Sequence, residues 1–202
     1  MTTVVIGGHS RNVGKTTVAA GLICALRDYR WTAVKISPHW HGGRVPSGTE
    51  RPENAFHIHE ETDPDGSSDT SRYLDAGAAR AFWVRVQANG LAPAVEALRP
   101  LLRPDSFVLI ESNGILRFLR PDICVMVLRY DIDEFKESAG EILARADAAV
   151  TLGDGSLSPP WKEAAKAALA RVPVFEAGDS GSIPGDLIEW ARARLPCPFP
   201  KE

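Results

Sequence analysis

Apolar positions along the chain form short, near-continuous runs, separated by segments in which they recur at helical spacing. Val4-Val5-Ile6, Trp31 to Ile36, Arg80 to Val86, Ser106 to Ile110, Asp122 to Leu128, Ala148 to Leu152 and Val172 to Phe175 are apolar, often β-branched, and short. Each predicts a buried strand. Helical patterning follows Thr16 (Val18, Leu22, Ala25, Leu26), and runs from Asp69 to Ala79, Leu91 to Leu102, Ile132 to Arg145, Pro160 to Ala170 and Leu187 to Leu195. Strands alternating with helices imply a mostly parallel sheet of about seven strands, covered on both faces: an α/β/α fold in three layers. Neither a repeat nor a linker interrupts the alternation, so residues 1–202 are expected to form a single domain. A proline-rich arm at 196–202 should end it, because proline cannot continue a helix.

One stretch breaks the pattern. Residues 37–68 are rich in Gly, Pro, Ser, His and acids and show almost no periodicity. Structureless loops longer than about 15 residues are uncommon in compact domains and are usually functional. This one leaves the second strand at the sheet end where open α/β sheets bind ligands, so a lid or substrate loop is expected.

Composition narrows the class. Hydrophobic residues at 44% and charged residues at 24% give a globular balance that argues against disorder. A net charge of −3 without a Lys/Arg run argues against nucleic acid or an anionic membrane as partner. No apolar stretch approaches the roughly 20 residues that span a bilayer, and a strand begins too early to leave room for a signal peptide. Cys24, Cys124 and Cys197 lack metal spacing, and Cys24 and Cys124 sit in core-like apolar runs. Reduced thiols in a cytoplasmic protein are the expectation.

The chemistry concentrates near the N-terminus. The first strand breaks at Gly7-Gly8, and Gly14-Lys15-Thr16-Thr17 opens the first helix. Strand, glycine-bearing loop, Gly-Lys-Thr and helix in this order make a phosphate-binding P-loop. Backbone N–H groups across His9, Ser10, Arg11, Asn12, Val13, Gly14, Lys15, Thr16 and Thr17, with the helix dipole, would cradle phosphate oxygens. Lys15 would reach the β- and γ-phosphates, and the Thr16 hydroxyl would ligate Mg²⁺. The usual pattern has glycine six residues before the lysine, where this chain has His9, so Gly8 is expected to supply a displaced turn.

Further carboxylates are needed around the metal. Phe107-Val-Leu-Ile-Glu111 has the form of a Walker B strand, and Glu111 is the candidate for binding Mg²⁺ through water or polarising an attacking group. Asp69 either completes the metal site or caps the following helix, with Ser67 and Ser68 as rival caps. His39-Trp-His41 and His57-Ile-His59 raise Zn²⁺, but one-residue spacing is expected to splay the rings to opposite faces, and no cysteine joins them. Lys35, His39 and His41 fit an anionic substrate better, phosphate or carboxylate. Thr151 and Asp154 keep the spacing of a guanine-reading Asn/Thr-Lys-x-Asp segment, with Leu152 in place of its lysine. That leaves GTP and ATP both open.

These residues carry a resemblance. The Gly-Lys-Thr-Thr loop resembles that of SIMIBI-class P-loop NTPases. The Val34-Lys35 strand end before histidines, and Asp63-Pro-Asp-Gly-Ser-Ser-Asp69-Thr70 leading to Ala76-Gly77-Ala78, resemble the molybdopterin-guanine dinucleotide biosynthesis protein B (MobB) family over roughly residues 1 to 115. That resemblance implies GTP binding, weak hydrolysis, a homodimer and an adaptor role beside a cofactor-biosynthesis partner protein. Glu111-Ser112-Asn113-Gly114 departs from the family's Glu-Gly, and the C-terminal half shows no likeness. More distantly the chain is similar to dethiobiotin synthetase, in which a loop aspartate and a strand-end glutamate join the P-loop threonine around Mg²⁺. Thr16, Asp69 and Glu111 match those roles in order, which implies an ATP-dependent enzyme acting on a small carboxylate as the alternative. A third possibility is a nucleotide-gated interaction protein with negligible turnover.

Overall fold

The computed structural model describes residues 1–37, 55–87, 89–104, 106–153, 157–178 and 182–198. Among these residues, eight strands form one sheet: β1 (Thr2–Gly8), β2 (Thr32–Ser37), β3 (Phe56–Glu61), β4 (Arg80–Val86), β5 (Phe107–Glu111), β6 (Ile123–Arg129), β7 (Ala148–Leu152) and β8 (Val174–Ala177). The α-helices among the described residues are α1 (Lys15–Ala25), α2 (Asp69–Asp75), α3 (Leu91–Leu98), α4 (Glu137–Arg145), α5 (Lys162–Ala168) and α6 (Gly185–Arg192). The spatial order is β3-β4-β2-β5-β1-β6-β7-β8, and every neighbouring pair is parallel except β3 with β4.

Strand alternation splits the core in two. Val4, Ile6, Ala33, Ala81 and Leu109 face α1, α2 and α6, while Val5, Val34, Phe82, Val108 and Ile110 face α3, α4 and α5. Burial on both faces explains why these strands read as continuous apolar runs. Gly7 is needed for close approach, because a Cβ there would lie 2.5 Å from the Ile142 side chain of α4.

Three expectations need correction. The segment at 37–68 is not wholly a loop, since residues 56–61 form edge strand β3. Residues 132–136 are not helical, and α4 begins at Glu137. Cys24 is exposed, whereas Cys124 is buried, and burial next to Asp147 pushes its thiol up to about 12.

The chain between β3 and α2 is tied to Glu61. Burial raises this carboxyl, but donation from Asp63 N–H, Ser68 Oγ, Thr70 Oγ1 and Thr62 N–H overrules it and lowers the pKa to about 2. A depressed carboxylate stabilises the fold above its ordinary value of 4.5, and that stability fades as pH falls towards 2. Acid unfolding of Glu61→Gln should therefore depend less on pH across that window than unfolding of the parent chain. Parallel profiles would show that these hydrogen bonds contribute nothing.

Candidate functional site

The P-loop leaves the carboxyl end of β1, a central strand, and two left-handed residues shape it: Asn12 (φ 57°) and Gly14 (φ 94°). Gly14 also meets Leu152 at the end of β7, where an added Cβ would lie 3.0 Å from its side chain. The leucine standing in place of the guanine motif's lysine is thus packed into the loop's support. Thr151 is buried in the same strand, Arg11 is exposed, and Val13 is fully buried. Asp154, His39 and His41 lie outside the described residues.

His9 works as an anchor. Its N–H donates to Val127 O at 3.3 Å, and its O accepts from Lys136 N–H at 2.9 Å. Nε2 accepts from Arg129 N–H at 3.1 Å, which places the ring proton on Nδ1, 2.8 Å from Glu134 O. Burial lowers the imidazole pKa, against those two backbone hydrogen bonds, and the neutral ring lies 4.4 Å from the Trp161 ring. The residue replacing the usual glycine spends its polar groups on β6 and the segment before α4. Ser10 Oγ continues this attachment by donating to the Glu134 carboxylate. On the other flank, Asn113 brackets Gly8, accepting from its N–H at 3.0 Å and donating to its O at 2.9 Å.

Lys15 Nζ donates to Ser10 O at 2.6 Å. Burial lowers its pKa, Glu111 opposes that, and Lys35 and Lys136 add to it. Such an ammonium gains from a phosphate anion. Beside it, Arg72 Nη2 donates to Thr17 Oγ1 at 3.3 Å.

Register brings the remaining groups together. Ile6 of β1 pairs with Glu111 of β5, and Glu111 pairs with Lys35 of β2. Cross-strand partners share a sheet face, so both side chains emerge beside Thr16. Lys35 Nζ lies 2.6 Å from Glu111 Oε1, 2.7 Å from Asp69 Oδ2 and 3.2 Å from Thr16 Oγ1. Thr16 Oγ1 donates to Glu111 Oε2 at 2.8 Å, and Tyr73 donates its hydroxyl to the same oxygen. Glu111 is 3% exposed and Asp69 41%. Burial alone would lower the Lys35 pKa, but the attraction of Glu111 and Asp69 outweighs it and holds the ammonium charged. The Tyr73 hydroxyl is pushed far up, by burial first and by Glu111 second, so it stays a donor.

Asp69 is free for this role because Ser68 caps α2, accepting from Ser71 N–H at 2.9 Å. The residues proposed as Mg²⁺ ligands are thus a hydroxyl and two carboxylates facing one cation. A donor set made only of oxygen suits Mg²⁺, so the residues present fit that ion. Among the described residues no group of three or more His, Cys, Asp or Glu gathers in the manner of a metal site.

Sequence reasoning missed Tyr73, Asn113 and the segment 129–136. Tyr73 was detectable in principle, lying four residues after Asp69 and hence on the same helix face. The expected splaying of His57 and His59 is also corrected. Strand side chains repeat every two residues, so the rings share a face, 6.5 Å apart and 17° from parallel.

Neither a family model nor a curated protein matches the sequence. Solved structures do. HypB from Helicobacter pylori, in complex with nickel, matches at TM-score 0.51 and 14% identity, over 95% of this chain and 86% of that one. Hydrogenase maturation factor HypB from Archaeoglobus fulgidus matches at TM-score 0.53 and 14% identity, over 95% and 89%. LpxK from Aquifex aeolicus, in complex with ATP, matches at 0.47 and 19%, over 87% and 53%. At these identities the likeness is one of fold, and that fold is the α/β architecture of P-loop NTPases.

Proposed function

We propose that this chain binds Mg²⁺ together with GTP or ATP at the P-loop and hydrolyses the nucleotide slowly, in a MobB-like role in molybdopterin guanine dinucleotide synthesis. The observation that carries the nucleotide reading is the gathering of Thr16, Asp69 and Glu111 around the Lys35 ammonium, close to Lys15. Thr16, Asp69 and Glu111 would hold Mg²⁺, which would supply positive charge to the nucleotide's phosphates. Lys15 binds those phosphates, and Glu111 orients or polarises the attacking group. The MobB-like role, a homodimer and a partner protein from cofactor synthesis rest on the resemblance over residues 1 to 115.

A second reading, phosphoryl transfer to a small carboxylate, is favoured by the Lys35 ammonium standing among Thr16, Asp69 and Glu111, where it could meet an anionic substrate. NDP release separates the two. An adaptor hydrolyses slowly whichever metabolite is added, and a partner protein binds it. A kinase or ligase releases NDP well above the basal rate when its substrate is supplied, and finding such a metabolite would reject the adaptor. In either case Asp69→Asn should raise the Mg²⁺ concentration needed for half-maximal hydrolysis several-fold, because a charged oxygen ligand is lost. An unchanged Mg²⁺ requirement would remove Asp69 from the metal site.

A further inference from the structure

The row of residues that starts at the metal site does not stop at Lys35. Glu111 pairs with Lys35, Lys35 with Trp83 and Trp83 with His59, so one line of side chains crosses β5, β2, β4 and β3. One step further along, Ser37 pairs with Arg85 and Arg85 with His57. Both rows lie on the α1/α2 face, because Val34, Ile36, Phe82 and Val84 at the intervening positions belong to the opposite core. Helix α2 covers Ala33 and Ala81 on this face through Tyr73 and Ala76, and the two rows emerge beyond it. His57 and His59 are exposed, while Lys35, Trp83 and Arg85 are half-buried.

Beyond Lys35, the side chains of Ser37, Trp83, Arg85 and His57 touch one another in turn. Trp83 Nε1 donates to Ser37 Oγ at 3.2 Å, and the Arg85 guanidinium lies 5.0 Å from the centre of the Trp83 ring. Arg85 Nη2 is 3.4 Å from His57 Nδ1. Stacking on the indole and contact with the imidazole hold the guanidinium fork in place, the condition under which arginine binds oxyanions well. Strand spacing of about 4.8 Å puts β3 roughly 10 Å from β2, about the length of a small metabolite.

We propose that Lys35, Trp83, Arg85, His57 and His59 form the site of a second, anionic ligand, a small molecule bearing a carboxylate or phosphate. Its oxyanion sits on Arg85 and His57, and its other end reaches Lys35 beside the nucleotide. The proposal deepens the nucleotide reading and rests on it, since Lys35 links the two sites.

The test begins with a calorimetric check that a non-hydrolysable NTP analogue binds with Mg²⁺, which fills the P-loop. The loaded protein is then titrated with inorganic phosphate and, separately, with succinate, following the imidazole NMR signals of His57 and His59. At least one probe should shift both histidines saturably, and the better probe tells phosphate from carboxylate. Arg85→Gln and His57→Asn should each weaken that binding at least tenfold, while analogue affinity stays within twofold and the melting temperature is retained. Histidine signals unmoved by either probe, or unaltered binding in both variants, would overturn the proposal. Failure of the analogue to bind is instead a failure of the nucleotide reading, and the same titration on free protein then tests this face alone.

Discussion

Lys35→Met should lower the melting temperature by roughly 6–12 °C in the absence of divalent ions, and millimolar Mg²⁺ should recover much of the loss. Glu111 is buried, and the Lys35 ammonium is its counter-ion at 2.6 Å. Removing one partner of a buried pair typically costs about 3 kcal/mol or more, and each kcal/mol moves the midpoint of a domain this size by about 2–4 °C. Methionine keeps the length and apolar stem of the lysine, so the loss reports charge more than volume. A divalent ion bound among the freed oxygens stabilises the native state by mass action, and more strongly in the variant than in the parent. Thermal melts with and without Mg²⁺ check both halves. A variant that melts with the parent would show that the two carboxylates do not depend on Lys35.

Glu111→Gln should reduce NTP turnover by roughly 10²-fold or more while nucleotide affinity stays within a few-fold. The carboxylate ends β5 facing Thr16 and Lys35, and in the proposed mechanism its charge would act on groups whose charge develops in the transition state. Losing an interaction made chiefly there lowers kcat with little change in KM. Glutamine keeps the shape of the side chain and one oxygen for the Tyr73 and Thr16 hydroxyls, while the Lys35 ammonium loses Glu111 and retains Asp69, so a thermal melt of the variant accompanies the assay. Steady-state hydrolysis at saturating Mg²⁺ measures the effect. Turnover equal to the parent would leave Glu111 a structural acid and move the catalytic role elsewhere.

Much of the layout was legible because the strands obey one rule. Fully buried strands must be apolar on both sides, so β5, β6 and β7 stand out within a residue of their true bounds, whereas β1 runs two residues beyond Val4–Ile6 at each end. Strand β3 escaped because it is a half-buried edge, with apolar Phe56 and Ile58 alternating with His57, His59 and Glu61. That alternation spans too few residues to stand out between polar flanks. Residues 132–136 have helical periodicity, yet Glu134 and Lys136 spend backbone groups on His9, and this tertiary demand wins over local preference. In the site, residue types and order nominated Thr16, Asp69 and Glu111. The choice of Ser68 as cap over Asp69 depends on which hydroxyl meets Ser71 N–H, a matter of geometry. The insertion of Lys35 among the oxygens of Thr16, Asp69 and Glu111 depends on the β2–β5 register, which no local pattern encodes.

The central claim is that the loop at 8–17 is a working phosphate cradle in which Lys15 supplies the charge. Calorimetric titration of Mg²⁺ with ATP and with GTP into the parent chain and Lys15→Ala tests it most directly. The parent should bind at least one nucleotide saturably and more tightly with Mg²⁺ than without, and Lys15→Ala should lose that binding by 10²-fold or more, about 2.7 kcal/mol. Equal affinity in the variant, or no binding of either nucleotide by the parent, would contradict the account.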